Sequence, residues 1–564
     1  MEAPLASCAS WYGQSRVSPG RFDRLPDEVV YLESGIDGAA IQIGLSRPDA
    51  PAGYESPVIA FASPYLWADL EDIPLATCLP FLVRNFVSHG YTVALIPVRG
   101  TGNSGGCPDL MGPSERSDLD QAITWLGTRP WSNGRVGMFG QSYDGSTPFE
   151  VASTGNPYLK TIVPVSGVSD LYELLYGRGT YDWRWWIFAP DFYYAEGGAG
   201  QHNPTTGRDA SRTIEGTACP GFVESLAASA ESFATAQRDP NGYWAARRVR
   251  PAIEKKYRGS IFFIQPLQDS QVRPDHNIPW IYRLERQSVY IKQLLNQSAH
   301  SLPDYKAGAG IGTRRDFAQL VLNWFDRWLK HDRNAEIGPR VEIQDSDGRW
   351  RATASWPPPN REVVYLGSDG RLRPRPGGPH SSQLLAPDQR SRYYFIINRP
   401  PLTTNDDWIP VPPAADRLCV TCALFRMKVT DTLRMSGIPS VHLQVTPTGP
   451  TGHVSAFLYA VDEKKGRMRR LGWGQADLRY PDGGNQVQPV VPGQRMRLTI
   501  DLVPLEAVFH KGEEVVVILS QGHADHMPST GSFPVRLEYG KDLGRFEFAE
   551  VQAPRDGFFV PPKT

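Results

Sequence analysis

The sequence predicts an α/β fold: a parallel sheet covered by helices, with a helical insertion and a C-terminal β-sandwich. Three observations predict it. Short apolar runs alternate with helical patterns at first, this alternation is lost between residues 170 and 256, and helices largely vanish after residue 337. A chain of 564 residues is long enough for two or three domains. We expect residues 1–169 and 257–336 to form the α/β domain, 170–256 a helical cap, and 337–564 the sandwich.

The N-terminal segment, up to about residue 55, is predicted to form antiparallel strands, because residues 39–48 alternate and end at a proline. Two apolar runs follow, over residues 57–63 and 91–98, and each is typical of a buried strand. The segment between them has helical spacing and stops at Gly90. The parallel sheet therefore begins with these two runs.

The later elements continue the same alternation. Residues 114–130 open with a cap and keep helical spacing, and residues 134–140 and 159–167 are typical of buried strands. After the insertion, residues 260–269 resume the pattern, and an amphipathic helix over residues 317–331 ends it. The short alternating strands that follow are separated by Pro and Gly turns, which indicates a sandwich.

Charge and hydropathy argue against several kinds of partner. The formal net charge of -1 gives no reason to expect nucleic acid or an anionic membrane. No apolar run approaches the roughly 20 residues that span a bilayer. No signal peptide is visible at the N-terminus. The sequence does not decide the oligomeric state, so a homo-oligomer stays open.

The most informative motif surrounds Ser142. The sequence Gly-Gln-Ser-Tyr-Asp-Gly, residues 140–145, lies directly after a predicted buried strand and before a helical stretch. It resembles the nucleophile elbow of α/β-hydrolases, Gly-x-Ser-x-Gly, with the second glycine one place late. Small flanking residues permit a sharp turn that raises the serine hydroxyl above the sheet and aims a helix N-terminus at it. We therefore expect an α/β-hydrolase fold with Ser142 as nucleophile.

A serine nucleophile needs a general base, usually a histidine that an acid orients. We favour His300, which lies in a polar loop after the sequence VYIKQLLN, interpreted here as helical. His276 is the alternative. His331 ends the amphipathic helix, where a histidine complements the helix dipole without a catalytic role.

The acid is expected between the serine and the histidine along the chain. Asp269 ends a predicted strand, so its carboxylate should lie on the same rim of the sheet as Ser142. Asp275 is the competitor, although its position just before His276 is more typical of a helix cap.

Together these motifs resemble the X-prolyl dipeptidyl-peptidase and cocaine-esterase family of serine hydrolases. The likeness includes the sequence VRGTGNSGG from Val98, the nucleophile region, and the loops around Asp269 and His300. Residues 348–359 resemble the start of the family's C-terminal jelly-roll domain. The likeness runs from about residue 35 to the C-terminus. It implies a triad of Ser142, Asp269 and His300 that needs no metal or organic cofactor.

The resemblance also implies an oxyanion hole. In the family the residue after the nucleophile provides a backbone N–H, which here is Tyr143. A tyrosine after the first strand of the sheet provides its hydroxyl, and Tyr65 stands at that place. A phenol suits this role because it is a neutral donor at pH 7. The alternative for Tyr65 is an ordinary packed aromatic ring.

The substrate class divides this family. Exopeptidases hold a free α-ammonium, which calls for acidic side chains near the nucleophile. Asp144, Glu173 and Asp182 are the candidates, and residues 163–183 look more like the peptidase branch. The tryptophans at 183, 185 and 186 either line a pocket or pack the cap.

We expect an exopeptidase that removes N-terminal residues or X-Pro dipeptides from peptides. An esterase or acylase acting on small esters or amides is the alternative, and a non-catalytic binding protein is the remote one.

The chain has six cysteines, which permit three disulfides whose pairing the sequence does not fix. Cys419 and Cys422 form a Cys-x-x-Cys pair, expected to be a local disulfide or two packed thiols because no second zinc-ligand pair is near. By resemblance, Cys78 and Cys107 could form a bridge in a secreted protein, which favours an extracellular location.

Overall fold

The computed structural model describes residues 13–66, 70–182, 188–195, 217–235, 242–287, 289–304, 314–386, 409–411, 421–481, 487–522, 526–528, 532–553 and 557–561. Its first strands are β1 (Asp23–Arg24), β2 (Glu28–Glu33), β3 (Ala40–Ser46), β4 (Pro48–Asp49), β5 (Ser56–Ser63), β6 (Thr92–Pro97), β7 (Ser132–Gln141), β8 (Leu159–Val165), β9 (Thr180–Asp182), β10 (Ser260–Pro266), β11 (Ile291–Asn296), β12 (Val341–Gln344) and β13 (Trp350–Thr353).

All helices of the described residues precede β12 in the chain. They are α1 (Leu75–Cys78), α2 (Pro80–Phe86), α3 (Pro113–Gly127), α4 (Tyr143–Thr154), α5 (Leu171–Tyr176), α6 (Phe188–Ala195), α7 (Pro220–Thr235), α8 (Tyr243–Ala246), α9 (Arg250–Lys256), α10 (Pro274–Leu284) and α11 (Phe317–Leu329). No helix among the described residues is long and apolar enough to cross a bilayer.

A ten-stranded sheet forms the centre of the fold, in the order β13-β12-β11-β10-β8-β7-β5-β6-β3-β2. The seven strands from β12 to β6 in this order run parallel to one another. β2 and β3 pair antiparallel at one edge, as the alternation of residues 39–48 predicts. β13 pairs antiparallel at the other edge.

Apolar clusters cover both faces of this sheet, which explains why its strands read as continuous apolar runs. On one face, Ile123 of α3, Phe149 of α4 and Trp280 of α10 are buried against the strands. On the other face, Phe81 of α2 and Phe325 of α11 belong to a second buried cluster. The α/β-hydrolase architecture expected from the sequence is confirmed.

The helical interpretation of the sequence VYIKQLLN is wrong, because six of its residues form strand β11. β11 lies between β10 and β12 and pairs parallel to both, and all six residues are buried. Leu, Lys and Gln favour helices in isolation, but a six-residue element buried between two strands gains more from sheet pairing than from helix propensity.

Two sheets form the C-terminal part of the chain. The strands after β13 are β14 (Glu362–Leu366), β15 (Leu372–Arg373), β16 (Gly377–Leu385), β17 (Ile409–Pro410), β18 (Ala423–Lys428), β19 (Leu433–Pro447), β20 (His453–Asp462), β21 (Arg467–Asp477), β22 (Met496–Asp501), β23 (Leu505–Phe509), β24 (Glu514–Ser520), β25 (His526–Pro528), β26 (Val535–Lys541) and β27 (Gly544–Glu550). β25 pairs with β9, and the other strands form the two sheets. An eight-stranded sheet and a five-stranded sheet share one buried apolar cluster, which is the sandwich expected from the turns and alternation.

The structure places the junction between the α/β part and the sandwich later than the sequence pattern suggests. The expected boundary lies after residue 336, but β12 and β13 extend the ten-stranded sheet. Isolated short strands carry no mark of the sheet that will accept them, since period-two alternation serves either sheet equally. Residues up to Thr353 therefore belong to the central sheet.

The insertion between β8 and β10 contains helices α5 to α9 and strand β9. β9 pairs antiparallel with β25 of the C-terminal part. Arg479 donates to the Thr235 carbonyl at 3.1 Å, at the end of α7. The insertion is thus attached to the sandwich as well as to the central sheet.

The turn between β7 and α4 is tightly packed. Ser142 has φ 62° and ψ -127°, a conformation that costs free energy for a residue with a side chain. A Cβ atom on Gly140 would lie 2.0 Å from the carbonyl oxygen of Asp144, and one on Gly145 would lie 2.6 Å from that of Val165. Neither backbone oxygen can move away from such a Cβ atom unless the strand or the helix moves as well.

We therefore predict that Gly140→Ala lowers the free energy of unfolding by about 1–3 kcal/mol or more, the usual cost of overpacking a rigid core. Gly35→Ala is the matched control, because a Cβ there would meet its nearest atom at 3.6 Å. Denaturant unfolding followed by circular dichroism measures both variants. Equal stability of the two variants would contradict this account of the turn.

Candidate active site

Ser142 stands between the carboxyl end of β7 and the first turn of α4. Its backbone N–H donates to the Val165 carbonyl at 2.9 Å, which ties the turn to the neighbouring strand β8. Its carbonyl accepts the Gly145 N–H at 3.0 Å and the Ser146 hydroxyl at 3.0 Å. These bonds hold the serine at the N-terminus of a helix, where the N–H groups of the first turn have no intrahelical acceptor.

Three predicted catalytic residues follow the carboxyl ends of parallel strands. Ser142 follows β7, Asp269 follows β10, and His300 follows β11, and only β8 separates β7 from β10 in the sheet. Because the carboxyl ends of parallel strands lie at one edge, the fold brings these three residues to the same rim.

Asp269 and His300 are hydrogen-bonded to each other. The distance from His300 Nδ1 to Asp269 Oδ2 is 2.7 Å. Asp269 Oδ1 accepts the backbone N–H groups of Gln271 at 2.8 Å and Val272 at 2.9 Å. The carboxylate side chain is 0% exposed and that of the histidine 6% exposed. Oδ1 therefore fixes the carboxylate to its own loop, and Oδ2 fixes the imidazole through Nδ1.

The alternative residues lie in other environments. His276 is buried in α10, where its Nε2 accepts the backbone N–H of Ser169 at 3.2 Å. Asp275 lies in the first turn of α10 rather than at its cap, and it pairs with Arg273 at 3.2 Å. His331 has φ 60° just beyond the end of α11.

The two tyrosines proposed for the oxyanion hole lie against each other. The Tyr65 and Tyr143 rings meet edge to face with centroids 6.2 Å apart. Tyr143 is the first residue of α4, and Tyr65 follows β5, with its N–H donated to Ser63 Oγ at 3.1 Å. The Tyr65 ring, which follows one strand, thus packs against the side chain of the residue after Ser142.

The three acidic candidates differ in exposure. Asp144 lies in the first turn of α4 and is 0% exposed. The Glu173 carboxylate, 36% exposed, pairs with Arg250. Asp182, 0% exposed, lies 3.8 Å from Arg273.

Neither arginine was identified from the sequence. No local signal identifies them, since each lies about 80 or 90 residues from its partner and the pairing depends on how the insertion packs on the sheet. Glu115 was not identified from the sequence either, although its carboxylate accepts a hydrogen bond from Tyr143. Glu115 sits in the first turn of a helix, where an acidic residue is ordinarily explained by the helix dipole.

The disulfide expected between Cys78 and Cys107 is wrong, because Cys107 pairs with Cys219 at the start of α7. This bond joins the loop after β6 to the insertion across 112 residues, a contact that only the tertiary fold determines. Cys78 and Cys422 are disulfide-bonded too, so Cys422 is not a packed thiol. Cys419 and the tryptophans at 183, 185 and 186 lie outside the described residues.

The described residues contain no group of three or more His, Cys, Asp or Glu side chains arranged to hold a metal ion. The chemistry that this rim can support is acyl transfer: a hydroxyl at a helix N-terminus, an oriented imidazole, and donors for a developing oxyanion.

Comparison with known protein families gives two matches that together cover most of the chain. Residues 37–302 match the X-Pro dipeptidyl-peptidase (S15 family) model. Residues 334–549 match the model of the X-Pro dipeptidyl-peptidase C-terminal non-catalytic domain. The first match contains Ser142, Asp269 and His300, and the second begins just before β12.

Individual proteins are also similar to this chain over most of its length. A "Putative Xaa-Pro dipeptidyl-peptidase" of Streptomyces avermitilis is 26% identical over 90% of this chain and 81% of its own length. The cocaine esterase of Rhodococcus sp. is 24% identical over 86% of this chain and 89% of its own. The crystal structure of an aminopeptidase from a marine sediment archaeon, Thaumarchaeota archaeon, superposes with a TM-score of 0.72 at 16% identity, over 94% of this chain and 97% of that one.

The order of the two matches along the chain agrees with a central α/β sheet followed by a sandwich. The chain therefore belongs to the X-Pro dipeptidyl-peptidase and cocaine-esterase family of serine hydrolases.

Proposed function

We propose that this protein is a serine exopeptidase that removes N-terminal residues or Xaa-Pro dipeptides from peptides through an acyl-enzyme. The observation that carries the catalytic part is the 2.7 Å hydrogen bond between His300 and Asp269, on the rim where Ser142 follows β7. The family match over residues 37–302 supports peptide substrates.

The proposed mechanism begins with His300, which takes the proton of the Ser142 hydroxyl as that oxygen attacks the scissile carbonyl. Asp269 keeps Nδ1 protonated, so that Nε2 is the nitrogen that accepts the proton. The protonated histidine then donates to the leaving amine, which departs with the new N–H bond. Water repeats the sequence on the acyl-enzyme and releases the acid product.

The oxyanion of each tetrahedral intermediate is assigned to the backbone N–H of Tyr143 and the hydroxyl of Tyr65. Removal of one such donor typically costs about 10²–10³ in kcat. The edge-to-face contact of the two rings supports this pairing, because each ring limits the movement of the other.

For the substrate ammonium we assign Glu173 as the leading candidate among Asp144, Glu173 and Asp182. Its side chain is 36% exposed, whereas those of Asp144 and Asp182 are 0% exposed. A ligand group has to reach the carboxylate, and Glu173 requires the least rearrangement. An ammonium there would share the carboxylate with Arg250 or displace it.

An esterase or acylase is the second candidate, favoured by the 24% identity to a cocaine esterase over most of both chains. Both functions use the same acyl-transfer steps. They differ in whether the acyl part of the substrate must carry a free ammonium.

We predict that a fluorophosphonate labels the parent protein at Ser142 and that Asp269→Asn lowers kcat by roughly 10³–10⁴, because the amide stabilises the wrong imidazole tautomer. Asp275→Asn is the matched control, since its carboxylate pairs with Arg273 instead. Mass spectrometry of the labelled peptide and steady-state kinetics measure these outcomes. A parent labelled elsewhere, or equal losses in the two variants, would refute the assignment.

We also predict that the protein hydrolyses aminoacyl or Gly-Pro p-nitroanilides and loses at least about 100-fold in kcat/KM when the substrate amine is acetylated. The neutral amide of the acetylated substrate cannot make the charge-assisted hydrogen bond that an ammonium makes with the Glu173 carboxylate, and its acetyl group needs space that a small ammonium does not. Glu173→Gln should remove most of the preference and leave the hydrolysis of p-nitrophenyl acetate near the parent rate. Equal rates on free and acetylated substrates would favour the esterase.

A further inference from the structure

A buried carboxylate holds the phenol of Tyr143. Glu115, in the first turn of α3, is 0% exposed, and its two oxygens lie 2.8 Å and 3.0 Å from Tyr143 Oη. The backbone N–H of Met111 donates to the same Oη at 2.8 Å. The phenol therefore donates to Glu115 and accepts from Met111, which fixes both its position and its rotation.

The Tyr143 ring also joins separate parts of the site. It meets Tyr65 edge to face, and it stacks on Phe192 of α6 with centroids 5.4 Å apart and an angle of 12°. Because Tyr143 also begins α4, a displacement of its ring would pull on the backbone next to Ser142 and on the phenol of Tyr65.

We propose that Glu115 is a positioning residue for the oxyanion hole, acting through the Tyr143 phenol to keep the Tyr143 backbone N–H and the Tyr65 hydroxyl aligned. This inference rests on the proposed acyl-transfer function and adds a residue that touches neither the substrate nor the triad. The carboxylate form is the one that holds the phenol most strongly, because hydrogen bonds to ionised acceptors are roughly twice as strong as neutral ones.

A second buried carboxyl lies beside the first. Glu150 of α4 lies beside Glu115 and is 1% exposed. Burial and the neighbouring Glu115 charge raise the pKa of Glu150 well above its usual range, so it keeps its proton. Burial also raises the pKa of Glu115 to about 7, against the opposing effect of the Tyr143 hydrogen bond.

The remaining charged groups that face this pair come from three elements. Asp109 lies in the loop before α3, Arg116 in α3, and Arg247 in the insertion just beyond α8. Arg247 pairs with Asp109 at 2.8 Å and donates to the Leu110 carbonyl at 3.0 Å. Arg116 donates to the Ala246 carbonyl at 2.6 Å, so both cations have acceptors other than Glu115. With a pKa of about 7, Glu115 changes charge near neutral pH.

The consequence is a pH-dependent oxyanion hole. Above about pH 7 the Glu115 carboxylate is ionised and makes a strong hydrogen bond with the Tyr143 phenol. Below that pH the carboxyl is neutral and the hydrogen bond is weaker. The variant Glu115→Gln has the neutral form at every pH and nearly the same shape.

The test compares kcat and KM of the parent and Glu115→Gln on one p-nitrophenyl ester from pH 5.5 to 8.5. We expect the ratio of parent to variant kcat to be about 10 at pH 8.5 and to approach 1 at pH 5.5, with KM changed less than about twofold. The ratio cancels the ionisation of the general base, which both proteins share. In Tyr143→Phe, which lacks the phenol, adding Glu115→Gln should cause no further pH-dependent loss.

Glu254→Gln is the matched control, because its carboxylate also accepts a hydrogen bond from an aromatic side chain, Trp280, at 2.9 Å. Its kcat should equal that of the parent at every pH. This inference is overturned if the ratio of parent to Glu115→Gln kcat does not vary with pH, or if the substitution changes only KM. In that case labelling of the parent at Ser142 still supports the proposed function. A parent that is not labelled at Ser142 overturns both.

Discussion

The turn at Ser142 is the constraint on which the rest of the site depends. A serine at φ 62° can follow a buried strand only if its neighbours leave room, and Gly140 and Gly145 pack directly against backbone oxygens. The hydrogen bond from Ser142 N–H to the Val165 carbonyl then fixes the turn to the adjacent strand. This bond and the two glycine contacts hold the first turn of α4, and the groups that it carries, against the sheet.

The base and the oxyanion donors are held by independent sets of contacts on either side of that turn. On one side, Asp269 orients His300, and Asp304 at the end of the same loop accepts the Ser15 backbone N–H at 2.7 Å, which anchors the loop to the N-terminal segment. On the other side, Glu115 and Met111 hold Tyr143. Because the two sets share no residue, a change on one side can alter transition-state stabilisation without disturbing proton transfer.

What the sequence could predict is whatever local pattern determines. The strand before the elbow, the helix after it, and the helix end at Gly90, which has φ 89°, all depend on neighbouring residues and were predictable. The choice of His300 did not depend on the structure of the segment before it, since the chain order of the triad holds for a strand as well as for a helix. The structure places His300 against Asp269. The pairing of Cys107 with Cys219 and the burial of Glu115 were not predictable, because both depend on contacts between segments far apart in the chain.

The insertion presents a further question of charge. Glu173 and Asp182 each face an arginine, so neither carboxylate is unpaired in the absence of a ligand. A buried carboxylate without a partner would take up a proton or destabilise the fold, because the desolvation of one charge costs several kcal/mol. If a substrate ammonium binds at Glu173, it exchanges with a guanidinium rather than entering an empty anionic site, and the net charge of the contact is unchanged. Such an exchange lets one carboxylate contribute both to stability and to substrate recognition. The affinity for the ammonium then depends on which acceptors the Arg250 guanidinium keeps after it leaves Glu173. That guanidinium already donates to the carbonyl of His276 and the hydroxyl of Ser169.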